Sequence, residues 1–157
     1  MEKWDLCSFA VNEDELEGRV CYGGLDLSST TDITAFVLVF PPTDEEDKFV
    51  ILPYFWLPEE TLELRVKRDH VPYDVWERQG YIQTTEGNVV HYGYIESFIE
   101  KLGERFNIKK ISFDRWGAVQ TEKIDGAIAT IMALDRAIRC GNQNTESVYD
   151  SRGILFM

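Results

Sequence analysis

The sequence predicts an α/β fold built on one mixed sheet flanked by helices. Three mostly apolar runs of strand length follow one another at residues 20–27, 33–40 and 49–57, and short polar turns join them. A fourth such run, residues 108–114, lies between two segments with helical spacing of apolar residues. Strands joined by short turns favour an antiparallel meander, whereas a strand reached through helices can run parallel to its neighbour. The predicted sheet is therefore a three-strand meander with one added parallel strand.

The three meander strands differ in the residues that interrupt them. Residues 20–27 carry one charge, at Asp26, and residues 33–40 carry none. Residues 49–57 contain Pro53, which has no N–H to donate to a neighbouring strand. Proline in a sheet is confined to edge strands or bulges, so one of these positions is expected here.

Helices are expected on both sides of the fourth strand. Pro58 followed by two glutamates predicts a helix start, because acids in the first turn are favoured by the helix dipole, and this helix should end near Asp69. Residues 81–90 form a short extended excursion that turns at residues 86–88. Two later helices show apolar residues at helical spacing. The first has Ile95, Phe98, Ile99, Leu102 and Phe106 on one face, and the second, about residues 122–139, has Ile124, Ala127, Ile128, Ile131, Leu134 and Ile138 on its expected buried face.

Composition excludes several classes of protein. A chain of 157 residues with 44% hydrophobic residues fits one folded domain with a sizeable core. No apolar run approaches the ~18 residues of a membrane span, and the first residues lack the pattern of a signal peptide. The three cysteines lack the spacing of zinc ligands, so reduced thiols in a cytoplasm are expected.

The net charge of −12 argues against a nucleic-acid partner, because long-range repulsion opposes binding. Local basic clusters or a partner can still supply phosphate contacts, and nucleases need clustered acids to hold metal ions. Basic residues cluster at residues 65–68 and 105–110. The ordinary expectation for both clusters is an exposed helix face or helix end.

Three aspartates form the candidate site. Asp26 lies in an apolar strand, where an unpaired carboxylate would cost several kcal/mol of desolvation. Asp114 ends the fourth strand, and Asp125 lies in the first turn of the last helix. Two carboxylates at the ends of adjacent parallel strands would repel each other, but a divalent cation between them keeps both ionised. With the helix acid, they are suited to a two-metal site that activates a water for phosphodiester hydrolysis.

Each acid also has a simpler interpretation. Asp26 can accept hydrogen bonds from the following turn, Asp114 can pair with Arg115, and Asp125 can be a first-turn acid favoured by the helix dipole. The joint occurrence of the acids favours the metal site for Asp26 and Asp114. Asp32 is expected to cap the turn after the first strand.

Seven segments form a pattern that is more specific than any single motif. They are residues 24–32 (Gly-Leu-Asp-Leu-Ser-Ser-Thr-Thr-Asp), 35–41 (Ala-Phe-Val-Leu-Val-Phe-Pro), 54–58 (Tyr-Phe-Trp-Leu-Pro), 76–88, 112–116 (Ser-Phe-Asp-Arg-Trp), 123–127 (Lys-Ile-Asp-Gly-Ala) and 147–153 (Ser-Val-Tyr-Asp-Ser-Arg-Gly). Together they resemble the nuclease domain of the large terminase subunit of tailed bacteriophages, over nearly the whole chain.

The resemblance implies a ribonuclease-H-like fold and a metal-dependent endonuclease that cuts concatemeric double-stranded viral DNA during genome packaging. It matches Asp26, Asp114 and Asp125 to the family's metal-binding acids, which implies Mg²⁺ or Mn²⁺ as cofactor, with two ions bound. The implied partners are double-stranded DNA, the portal and the small terminase subunit, in the cytoplasm of the bacterial host.

The chain departs from the family pattern in two places. Residues 1–157 resemble the nuclease domain alone and contain no Gly-x-x-x-x-Gly-Lys-Ser/Thr phosphate loop, so no ATPase domain is expected in them. Ten residues separate Asp114 from Asp125, where family members have several tens more. A late strand is therefore expected to be missing, and Asp125 is the acid whose place this affects most.

Two other functions fit parts of the sequence. The short interval between Asp114 and Asp125 also suits a non-catalytic terminase remnant that binds DNA or the packaging complex. Residues 23–31 also fit the phosphate loop of an actin-like or sugar-kinase-like ATPase, but the sequence lacks an adenosine motif. Cleavage of DNA, binding without cleavage, and nucleotide binding distinguish the three.

Overall fold

The computed structural model describes residues 10–28, 32–44, 46–113 and 125–140. Its five strands are β1 Val20–Asp26, β2 Thr34–Phe40, β3 Val50–Pro58, β4 Gln83–Thr85 and β5 Asn107–Phe113. Its α-helices are α1 Leu62–Asp69, α2 Tyr73–Arg78, α3 Tyr92–Arg105 and α4 Asp125–Cys140, with 3-10 turns at Glu13–Leu16 and Glu59–Thr61. Within these residues the strands form one sheet in the order β4-β3-β2-β1-β5.

The pairing confirms the predicted mixed sheet. β1 pairs antiparallel with β2, and β2 pairs antiparallel with β3, which is the meander. β5 pairs parallel with β1 on the other side. β4, expected only as a short extended excursion, adds a second parallel pairing along the last residues of β3.

Pro53 lies at an open edge, as its missing N–H predicts. It is exposed and pairs with Val37 of β2 on one side. β4 pairs only with Trp56, Leu57 and Pro58, so Pro53 precedes the part of β3 that has a described outer neighbour. On that outer side a missing N–H therefore breaks no bond to a described strand.

Alternating residues of β2 divide the core into two layers, because successive side chains of a strand point to opposite faces. Phe36, Leu38 and Phe40 face α3, which packs on them with Ile95 and Leu102, and Phe106 directly after the helix joins this layer. Ala35, Val37 and Val39 face α4. β2 is buried along its whole length because helices cover both sides of the sheet.

The predicted buried face of α4 is wrong at Ile131 and Ile138. Ile131 and Ile138 are 65% and 64% exposed, and the helix packs on the sheet with Ala129, Ala133 and Ala137. Leu134 is only partly buried, and the side chains of Ile124, Ala127 and Ile128 lie outside the described part of the chain.

The close approach of α4 to β1 explains this reversal. A Cβ on Gly24 would lie 1.9 Å from the carbonyl oxygen of Ala129, so the helix backbone occupies the space of the missing side chain. Only small residues fit at such a contact. The larger isoleucines are therefore turned outward, although their helical spacing resembles that of a core face.

Helix α2 was not predicted and completes a third, smaller core. Its first residue, Tyr73, packs with Leu57 and Ile82, which lie at the end of β3 and just before β4. The predicted helix at residues 58–69 is confirmed, with a 3-10 turn before α1. None of the described helices is long and apolar enough to cross a membrane.

Candidate metal centre

Asp26 is the last residue of β1 and lies half-buried at the carboxyl end of that strand. Its Cα partner on the antiparallel side is Ala35, near the start of β2. Tyr22, two positions before Gly24, packs in the core layer beneath α4, and Gly24 contacts α4 directly. Strand alternation places Asp26 on the same face of the sheet as these two residues.

β5 brings the second predicted acid toward the same edge. Because β1 and β5 are parallel, their carboxyl ends lie together, and Phe113 at the end of β5 is the Cα partner of Leu25. Ser112 pairs with Gly24, and its hydroxyl accepts a hydrogen bond of 2.6 Å from Nε of Arg136 on α4. Asp114 follows Phe113 in sequence and lies outside the described residues.

Asp125, the third predicted acid, is the first residue of α4, and its side chain lies outside the described part. The next residue, Gly126, is close to the sheet, because a Cβ there would lie 2.8 Å from the ring of Phe55. Phe55 pairs with Ala35, which pairs with Asp26. The first turn of α4 therefore lies over Phe55 of β3. Asp26 belongs to the same row of paired residues, two strands away on β1.

The donor types fit a hard divalent cation. Mg²⁺ and Mn²⁺ prefer carboxylate oxygens, and Asp26 supplies one carboxylate at the sheet edge. Among residues 10–28, 32–44, 46–113 and 125–140, as far as their side chains are described, no group of three His, Cys, Asp or Glu residues is placed to hold a metal ion. A site of three acids at this edge therefore depends on Asp114 and Asp125.

The turn after Asp26 is held by Ser28 and Thr34. The backbone N–H of Asp32 donates to Oγ of Ser28 at 2.9 Å, and the backbone N–H of Ser28 donates to Oγ1 of Thr34 at 3.2 Å. Oγ1 of Thr34 also donates to the carbonyl oxygen of Ser28 at 3.4 Å. The side chain that accepts from the Asp32 N–H is thus Ser28, whereas capping of the turn by the Asp32 side chain stays a prediction.

Arg65 contradicts the expectation that residues 65–68 form an exposed basic face. It is 3% exposed, and its guanidinium reaches the carbonyl oxygen of Asp32 at 3.3 Å. Burial lowers the pKa of Arg65, and the charge of Arg68 acts in the same direction. Lys67 and Arg68 do lie on the surface.

Sequence patterns did not identify Arg65, because an arginine in a basic helical segment gives no sign of burial. Thr61, four residues earlier, is the one local indication, since its hydroxyl accepts a hydrogen bond from Nε of Arg65 at 3.2 Å. Trp56, the Cα partner of Thr34, is fully buried, which suits a core role rather than base stacking.

Comparisons with known proteins agree with this architecture. The family model described as "Terminase large subunit, endonuclease domain" matches residues 1–120. The chain is 37% identical over 132 residues to the large terminase subunit of Enterobacteria phage HK97, an alignment that covers 83% of this chain and 25% of that protein.

The crystal structure of the HK97 bacteriophage large terminase is also similar. It superposes with a TM-score of 0.63 at 37% sequence identity, covering 73% of this chain and 23% of that chain. The chain therefore spans about a quarter of the length of these relatives. The match and the mixed five-stranded sheet flanked by helices confirm the ribonuclease-H-like α/β fold.

Proposed function

The chain belongs to the family of large terminase subunit endonuclease domains, and from this premise we propose that it is a metal-dependent endonuclease that hydrolyses phosphodiester bonds in viral DNA. The observation that carries the proposal is the parallel register of β1 and β5. Leu25 and Phe113 are Cα partners, and each directly precedes an aspartate in sequence. This register supports a shared site for Asp26 and Asp114.

The face of the sheet supports the same pairing. Asp26 lies on the face covered by α4, and so does Ser112, which contacts Arg136 of that helix. Asp114 is two positions after Ser112, and residues two apart in a strand share a face. We expect Asp114 to present its carboxylate beside that of Asp26, and Asp125 at the first turn of α4 to supply a third.

The roles of the three residues follow from their chemistry. Asp26, Asp114 and Asp125 would hold Mg²⁺ or Mn²⁺, two ions in the complete site, and the ions would supply an activated water and charge stabilisation for the leaving oxygen. Placement at or next to strand ends would keep the first two carboxylates in fixed positions, so that little reorganisation would be needed when metal and DNA bind. The backbone of the first α4 turn favours negative charge at Asp125, because the positive end of the helix dipole lies there.

The substrate and partners are part of the proposal. Concatemeric double-stranded DNA is the expected substrate during genome packaging in the cytoplasm of the bacterial host, with the portal and the small terminase subunit as partners. Residues 1–157 are proposed to act as one nuclease domain. They contain no phosphate loop, so cleavage is assigned to them and ATP-driven translocation is not.

Plasmid cleavage tests the catalytic claim. With Mn²⁺ present, the protein should nick or linearise plasmid, and Asp26→Asn or Asp114→Asn should each lower the rate more than about 100-fold, since loss of a ligand should exceed the 10- to 100-fold effect of outer-shell residues. Asp47→Asn, a change of the same type at an exposed turn, is the matched control and should keep the wild-type rate.

The same assay decides between cleavage and the non-catalytic alternative. If the plasmid stays intact at every Mn²⁺ and Mg²⁺ concentration while DNA binding is retained, the endonuclease assignment fails and a binding module is favoured. An Asp125→Asn variant with wild-type activity would remove only the third ligand from the proposed site.

A further inference from the structure

We propose that Arg65 is a positioning residue, which holds the turn between β1 and β2 and thereby sets the orientation of the Asp26 carboxylate for metal binding. The inference rests on the proposed nuclease function and extends it to a residue outside the acidic site. Arg65 lies on α1, whereas the three proposed ligands lie on or next to β1, β5 and α4.

Arg65 joins two parts of the chain that are far apart in sequence. Its Nε donates to Oγ1 of Thr61 at 3.2 Å, and its Nη2 donates to the carbonyl oxygen of Asp32 at 3.3 Å. Oγ1 of Thr61 in turn donates to the carbonyl oxygen of Pro58, the last residue of β3, at 3.1 Å. The guanidinium therefore links the end of β3 to the residues that lead into β2.

From Asp32 the hydrogen bonds continue to the neighbourhood of Asp26. The N–H of Asp32 donates to Oγ of Ser28, and the N–H of Ser28 donates to Oγ1 of Thr34, which is fully buried. Ser28 is two residues beyond Asp26. Ser28 is thus hydrogen-bonded both to Thr34 within the sheet and to Asp32, whose carbonyl oxygen accepts from Arg65.

Residues that orient metal ligands affect metal affinity more than substrate affinity. Replacement of such outer partners typically lowers metal affinity 10- to 100-fold. Loss of Arg65 should therefore weaken Mn²⁺ binding while the KM for DNA stays near its wild-type value. A merely structural arginine would lower the melting temperature and leave the Mn²⁺ affinity of the folded protein unchanged.

The test measures Mn²⁺ binding without DNA, by electron paramagnetic resonance of free Mn²⁺, in wild type and four variants. Arg65→Gln should bind Mn²⁺ about 10- to 100-fold more weakly, and Arg65→Lys should recover part of the loss because it keeps a donor and the charge. Thr61→Val removes one acceptor at nearly constant volume and should also weaken binding. Arg78→Gln, an exposed arginine paired with Asp74, is the matched control and should bind as wild type does.

Hydrogen exchange of the metal-free protein gives a second measurement that does not depend on activity. The amide of Asp32, protected by Ser28, should exchange faster in Arg65→Gln and Thr61→Val than in wild type. Where Arg65→Gln fails to fold, Thr61→Val decides the question. Wild-type Mn²⁺ affinity and Asp32 protection in the folded variants would overturn the positioning role.

The two proposals fail in different ways. If wild type binds no Mn²⁺, or binds it equally well in Asp26→Asn, the proposed metal site itself is wrong and the role of Arg65 falls with it. If wild type binds Mn²⁺ through Asp26 and the Arg65 and Thr61 variants do the same, only the role of Arg65 is wrong.

Discussion

The two faces of the sheet are covered by helices that pack in opposite ways. α3 packs on its face with the large side chains of Ile95 and Leu102, and edge-to-face contact between Phe106, directly after the helix, and Phe40 adds to this layer. α4 packs on the other face with alanines, at a position where β1 has a glycine. Both helices are amphipathic in sequence, yet α3 buries the larger apolar residues that its pattern marks, whereas Ile131 and Ile138 of α4 are exposed.

The contrast shows what each layer does. Large interlocking side chains bury much apolar area and stabilise the α3 face. Small residues bury less area on the α4 face but allow the helix backbone to approach the sheet. The first turn of α4 consequently reaches the row of Phe55, Ala35 and Asp26, where the proposed metal ligands are expected.

The largest expected difference between the faces concerns two aliphatic residues. Leu102→Ala should lower the free energy of unfolding by about 3 kcal/mol, because it opens a cavity in the α3 layer. Ile138→Ala on the outer surface of α4 should change it by less than about 0.5 kcal/mol. Urea unfolding of both variants checks this, and equal losses would mean that the exposed side of α4 is covered in solution.

A second prediction concerns the close contact at Gly24. Gly24→Ala should cost about 2 kcal/mol, because its new methyl group meets the backbone of Ala129, which has to move away. Gly103→Ala on α3 is the matched control: nothing lies within 4 Å of its new Cβ, and it should add up to about 1 kcal/mol of stability. Thermal unfolding distinguishes the two, and an unaffected Gly24→Ala variant would contradict the close approach of α4.

The smallest expected effect is a pH dependence from the α3 face. Burial raises the pKa of the Cys21 thiol from 9.0 to about 12. The thiol therefore ionises near pH 9 in the unfolded chain but stays neutral in the folded one, so its contribution is complete below pH 9 and is lost between pH 9 and 12. The slope is at most about 1.4 kcal/mol per pH unit.

Comparison with Cys21→Ala isolates this contribution. Burial is the largest cause that raises the pKa values of Tyr22 and Tyr54, and Cys21 is the smallest, so both tyrosines titrate nearly alike in wild type and variant. Urea unfolding between pH 8 and 11 should therefore show a steeper loss of stability in wild type. Parallel curves would show that Cys21 is not buried as a neutral thiol.

Much of the fold could be predicted from local sequence. The apolar runs predicted the bounds of β1, β2, β3 and β5 to within one residue at most ends. The buried face of α3 was identified from the spacing of its apolar residues alone. These predictions succeed because a large apolar side chain loses much free energy when exposed, so its position in the sequence determines the side of the element that is buried. Pro53 marked an open edge for an equally local reason.

The candidate site was predicted less completely. Asp26 could be selected from sequence because a charge inside an apolar strand needs compensation, and its place at the end of β1 agrees. Asp114 lies outside the described residues, and for Asp125 only the backbone is described, so their roles stay predictions. Arg65 was missed because its burial results from contacts with Thr61 and Asp32, one of which is 33 residues away.

By itself, the sequence determined the four longer strands, which residues α3 buries, and that β1 carries an acid. Tertiary structure decided that β5 lies beside β1, that α4 turns Ile131 and Ile138 outward, and that Arg65 lies inside. The physical reason is the range of the interactions. The hydrophobicity of a side chain determines which side of its own helix or strand is buried, and this can be read from local sequence. The packing of α4 depends instead on the missing Cβ of Gly24, which lies on β1, far from α4 in sequence. Such an absence has no periodicity and becomes visible only when the two elements meet.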